Sequence, residues 1–123
     1  MHRDELCSAF MDLHPINPGH MLVVPNRHAT YVSDLEEAES AQMFRVAQRL
    51  TVAVRRSGLK CEGVNFFLAD GEAAGQEVFH AHLHIFPRYD GDDFSLRLPP
   101  GYGRDATRKE LNEAAQKIKE GLS

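Results

Sequence analysis

The apolar positions of this chain change their period along its length, and each change predicts an element. Leu6-Cys-Ser-Ala-Phe-Met-Asp12-Leu13 is an apolar run of strand length, and Met21-Leu-Val-Val24 is a shorter, β-branched one. Pro15-Ile-Asn-Pro18-Gly19 between them is turn chemistry, so the pair predicts a hairpin that Pro25 closes, with Asn26-Arg27-His28 as a loop. Ser33-Asp-Leu-Glu36 is a capping box, and behind it Met43, Val46, Leu50 and Val54 recur at helical spacing. Acids crowd the first turn of that helix, Arg55 and Arg56 sit in the last, and Gly58 fits the position just beyond it. The stripe predicts core or a dimer surface. Gly63–Leu68 reads as a third strand, and a glycine-bearing loop from Asp70 to Gly75 leads into a fourth. After Pro87-Arg88 the chain is loop-rich, and Phe94–Leu98 reads as a short strand or an arm. A second capping box, Thr107 to Glu110, opens a terminal helix with Leu111, Ala114, Ala115 and Ile118 on one face. The order predicts one α+β domain over 1–123, with an antiparallel sheet of about four to five strands, one long central helix and a C-terminal helix.

The fourth strand carries the chemistry. Gln76-Glu-Val-Phe-His80-Ala-His82-Leu-His84-Ile-Phe-Pro-Arg88 places histidines at alternate positions. As a strand it puts Gln76, Val78, His80, His82 and His84 on one face and Phe79, Ala81, Leu83 and Ile85 on the other. Next-but-one residues on a face lie about 7 Å apart, a spacing at which imidazoles can bracket a phosphate-sized group. Three readings stay open on spacing alone. The histidines make ordinary hydrogen bonds on a polar strand face, they ligate a catalytic metal, or they act in metal-free catalysis. The preceding glycines are usually only turn geometry. Beside a phosphate site they also let backbone N–H groups approach oxygens, although the loop is neither a P-loop nor a GxGxxG motif.

Composition narrows the classes. A chain of 123 residues with 42% hydrophobic and 26% charged residues is an ordinary soluble domain. No apolar run approaches a membrane span, and the N-terminus has no signal-peptide core. Cys7 and Cys61 form neither a disulfide framework nor a CxxC pair, and they fit a reducing cytoplasm. The formal net charge of −4 argues against a nucleic-acid binder, which needs a basic stripe. An anionic ligand here needs local donors.

The chain resembles the histidine-triad (HIT) family, whose signature is H-x-H-x-H followed by apolar residues. The resemblance covers nearly the whole chain: Ala9-Phe10-Met-Asp12, Pro18-Gly19-His20-Met-Leu-Val-Val-Pro25 with His28 three residues on, and Gly75-Gln76-Glu-Val78 fall in the family's order and spacing. It implies a nucleotide hydrolase or transferase, typically a homodimer with an antiparallel sheet in each subunit. By that resemblance His82 is the nucleophile at an α-phosphorus, and His80 and His84 flank it. Gln76 contacts phosphate, Asp12 holds ribose hydroxyls, and Phe10 and Leu13 line the base pocket. Gly75 and Val78 belong to the substrate-binding set, with His28 and Glu77 in support. Members usually begin with a further helix and strand that wall the base pocket. Their CxxC supplies zinc ligands in some members, together with histidines matching His28 and His80. The chain has no CxxC, so the resemblance implies no structural zinc and no other cofactor. Glu77 stands where several members carry Ser or Thr near the leaving group.

The leading expectation is therefore a metal-independent hydrolase of dinucleoside polyphosphates or nucleoside phosphoramidates, working through a nucleotidyl-histidine. A reference imidazole pKa near 6.5 leaves such a nucleophile mostly neutral at pH 7. A metal-dependent hydrolase using the same histidines is one alternative. A nucleotide-binding protein with little turnover is the other.

Overall fold

The computed structural model describes residues 1–122. Five strands form one antiparallel sheet in the order β1-β2-β3-β5-β4. They are β1 (His2–Arg3), β2 (Cys7–Met11), β3 (Met21–Pro25), β4 (Gly63–Phe67) and β5 (Leu83–Arg88). The long helix α1 (Glu37–Arg56) lies between β3 and β4 in sequence, and α2 (Arg108–Gly121) ends the chain. Among the described residues no helix is long and apolar enough to cross a membrane.

Strand alternation gives the sheet two different faces. Cys7 and Ala9 of β2, Met21 and Val23 of β3 and Ile85 of β5 turn inwards and form the core with Met43, Val46, Ala47 and Val54 of α1. Removing Val23, Val46 or Ile85 from water contributes about 1.5–3 kcal/mol each. The stripe on α1 is thus core, and Leu50 packs at its edge. The dimer-surface reading of that stripe does not hold. The opposite parity, Phe10, Leu22, Val24 and His84, faces the functional side.

Two helix expectations separate. α1 starts at Glu37, beyond the Ser33 box, because Val32–Asp34 form a separate short turn in which the Asp34 carboxylate accepts from the Tyr31 N–H at 3.0 Å. The cap is one register on: Glu39 accepts from the Glu36 N–H at 2.8 Å and from Arg27 Nη2 at 2.7 Å. Gly58, at φ +87°, ends the helix as expected. α2 begins at its predicted cap, where Thr107 Oγ1 accepts from the Glu110 N–H at 3.1 Å. Its apolar face is uncovered, with Leu111 and Ile118 exposed. Phe94–Leu98 takes no strand pairing.

Candidate active site

The histidine run is only half strand. The β3–β5 ladder pairs Met21, Leu22 and Val23 with Ile85, His84 and Leu83, then stops. Pro25 ends β3 and has no N–H to continue the ladder. His80 and His82 therefore precede β5 in an irregular segment, held by Ala81 N–H to the Ala29 carbonyl at 2.7 Å and His80 Nε2 to the Pro25 carbonyl at 2.9 Å. Only His84 stands on the strand itself. The predicted single strand face from Gln76 to His84 is corrected accordingly.

These segments line an open cavity of about 560 Å³, a size that suits a small organic ligand. Phe10, Leu22 and Val24 form an apolar floor, Asp12 and His14 stand at one end, and Gly75, Glu77 and Val78 line the rest with the three histidines. Strand parity explains the floor, since Phe10 pairs with Leu22 across β2 and β3 and Val24 lies two residues on from Leu22. Leu13, in the turn after β2, is 85% exposed and is not among the residues lining this cavity. His14, which pattern reading passed over, takes a place in the lining instead.

Hydrogen bonds fix the imidazole tautomers. His82 Nδ1 lies 2.6 Å from the His80 carbonyl, which can only accept, so the proton sits on Nδ1 and Nε2 keeps a lone pair. Buried His20, preceding β3, accepts the Ile16 N–H on Nδ1 at 3.0 Å, so its own proton is on Nε2. That Nε2 lies 2.9 Å from His84 Nδ1, leaving the His84 proton on the far nitrogen. Burial pushes the His20 pKa below its ordinary value, against the pull of Asp12. Burial, then the charges of His82 and His20, likewise push His84 down. Both stay neutral at pH 7. The Asp12 carboxylate stands 3.4 Å from His20 Nε2 and 3.7 Å from His84 Nδ1, and its other oxygen accepts the His14 N–H at 2.8 Å. His80 Nδ1 faces exposed His28 Nδ1 at 3.4 Å.

Gln76 has a different task from the one expected. It is 3% exposed, its Oε1 accepts from the Gly71 N–H at 2.8 Å, and its amide donates to the carbonyls of Thr30 at 2.8 Å and Val78 at 3.2 Å. Both amide hydrogens are used, so no donor remains for a phosphate. Gln76 clasps the loop that presents Glu77 and His80. His20 is the main omission of the pattern reading. Its even parity with Leu22 and Val24 placed it on the cavity side of the sheet.

Fold and site together define an α+β domain built around a line of linked imidazoles beneath an open cavity. Residues 1–91 match the family model of the HIT domain, and the chain belongs to that family. A bis(5'-adenosyl)-triphosphatase of Dictyostelium discoideum is 40% identical over 84 residues, 68% of this chain and 56% of that protein. A HIT family crystal structure from Bacillus subtilis superposes with a TM-score of 0.87 at 30% identity, over all of this chain and 86% of that one. A zinc-bound histidine triad family protein from Mycobacterium smegmatis gives 0.72 at 37% identity, over 99% and 86%.

Proposed function

We propose that the chain is a nucleotide hydrolase that cleaves at the α-phosphate of dinucleoside polyphosphates or nucleoside phosphoramidates, through a nucleotidyl group carried on His82. The observation that carries this is the His82 Nδ1 to His80 carbonyl hydrogen bond, which leaves an Nε2 lone pair on a ring lining the cavity. A neutral, oriented imidazole is what nucleophilic attack at phosphorus requires. The apolar floor suits a base, and Asp12 suits ribose hydroxyls at the end of the cavity where it stands. The Dictyostelium relative's name supports the reaction class. Two copies of the chain would form the working enzyme, and two free cysteines suit a cytoplasmic setting.

The histidines at the cavity do not fit a metal. Among the described residues His28 and His80 gain no third donor close enough to form a ligand set with them. Asp12, His20 and His84 do converge, but a tetrahedral zinc holds its nitrogen ligands about 3.3 Å apart. The 2.9 Å between His20 and His84 is a hydrogen bond, and His20 has both nitrogens engaged. No step is routed through a metal.

Rapid quench with a nucleotide labelled at its α-phosphate tests the reading. An acid-labile adduct is expected on the peptide containing His82, and His82→Ala should lose turnover by several orders of magnitude while still binding nucleotide. Label on His80, His84 or His28 would overturn the assignment. So would activity that EDTA abolishes and zinc restores.

A further inference from the structure

The cavity is poorly built for a strongly anionic leaving group. Asp12 and Glu77 are the acidic residues lining it, and no lining residue is Lys or Arg. The nearby arginines are committed elsewhere. Arg27 binds Glu39 and the Asp34 carbonyl, and Arg88 binds Asp92 and Asn65. Asp12 is engaged with the His14 N–H and lies against two imidazoles. Glu77 is exposed, and among the described residues it has no ion-pair partner.

The two acids reach the cavity from different elements. Asp12 follows β2 and neighbours His84, whereas Glu77 comes from the loop entering β5, three residues before His80. His82 falls between His80 and His84. A nucleotide whose sugar lies toward Asp12 and whose α-phosphorus meets His82 sends its leaving group toward Glu77.

We propose that Glu77 selects the leaving group by charge, favouring nucleoside phosphoramidates whose departing amine carries a positive charge and disfavouring polyphosphates. The proposal rests on the nucleotidyl-His82 reading above. In the first step His82 Nε2 bonds to phosphorus and the phosphorus–nitrogen bond to the amine breaks, the departing nitrogen taking a proton from solvent. In the second a water oxygen displaces His82 from phosphorus, and the water's proton returns to solvent. Glu77 touches neither reacting atom. Its carboxylate sets the potential where the amine's substituent lies, in a wall without opposing cations.

The test uses adenosine 5'-phosphoramidates of 1,2-diaminoethane, ethanolamine and glycine. They share one phosphorus–nitrogen bond and differ in leaving-group charge from positive through neutral to negative. The expected wild-type order of kcat/KM is cation over neutral over anion. Glu77→Gln should compress the cation-to-anion ratio by about tenfold, Glu77→Lys should invert it, and added salt should narrow it only while Glu77 is present. Comparing ratios within each variant removes differences in amine basicity and in folding. A ratio unchanged in Glu77→Gln and Glu77→Lys, with turnover intact, would overturn the role of Glu77. No turnover of any of the three by a wild type that hydrolyses a dinucleoside polyphosphate would overturn the preference for amines, whereas no turnover of either class would refute the hydrolase reading itself.

Discussion

His20 shows how one buried side chain can set the tautomer of a half-buried one. With the Ile16 N–H on one nitrogen and His84 on the other, it dictates where the His84 proton lies. His20→Phe keeps the ring volume but leaves both partners unpaired, which should cost about 1–3 kcal/mol of stability. It should also lower kcat on the order of 10²-fold, the small end of what losing a positioned proton partner costs. Wild-type kcat with unchanged stability would make the link idle. The same pair gives stability a pH dependence. Both folded pKa values lie below the ordinary 6.5, so below that pH the unfolded chain binds more protons than the native one. Stability should therefore fall as pH drops through 6.5, by at most about 1.4 kcal/mol per pH unit per histidine, and level off below the folded values. Thermal melts from pH 7.5 to 5 check this, and His20→Phe should flatten the slope. At this scale the sequence was legible where the alternation fell on a formed strand, and it misled over Gln76–His82, which precede β5. Parity admits His20, whose carbonyl accepts the Asp12 N–H at 2.9 Å at the end of the β2–β3 ladder. The burial of Gln76 was not legible, because its partners lie in loops whose path no periodicity encodes.

At the level of elements, the turn joining β2 to β3 does more than connect them. Asn17 is buried in it, donating to the Pro87 carbonyl and to Asp92, both at 2.9 Å. Gly19 follows at φ +101°, where a Cβ would meet Leu59 Cδ1 at 3.1 Å and Pro87 Cγ at 3.2 Å. Gly19→Ala thus combines a backbone strain of about 1–3 kcal/mol with crowding, and it acts one residue from His20. Chemical denaturation should show a loss of that size, and turnover should fall with it. An unchanged midpoint would mean the turn adapts freely. Helices and strands here were readable because caps, periods and glycines act within a few residues. The late start of β5, at Leu83, was harder to foresee. It depends on Pro25, a residue of the partner strand 55 positions from His80 along the chain, whose carbonyl holds that histidine.

The whole molecule leaves one face unfinished. β4 is an edge strand, and Phe66 on it is exposed beside Phe44 of α1, which is 61% exposed and packs edge-on to Phe66 at 5.9 Å. Val52, about two helical turns further along α1, is exposed as well. A free strand edge next to aromatic surface is what soluble proteins usually cover. The sequence pattern led to a dimer through the wrong residues: Met43, Val46 and Val54 are core, and the unsatisfied apolar surface lies on other turns of the same helix. A second copy paired through β4 and α1 would cover both the edge and the aromatics. Light scattering at micromolar concentration should give twice the chain mass. Phe44→Asp should shift that mass to the monomer with little change in the α1 core, since Phe44 points away from it. If the wild type is monomeric, or if Phe44→Asp stays dimeric, the pairing face lies elsewhere.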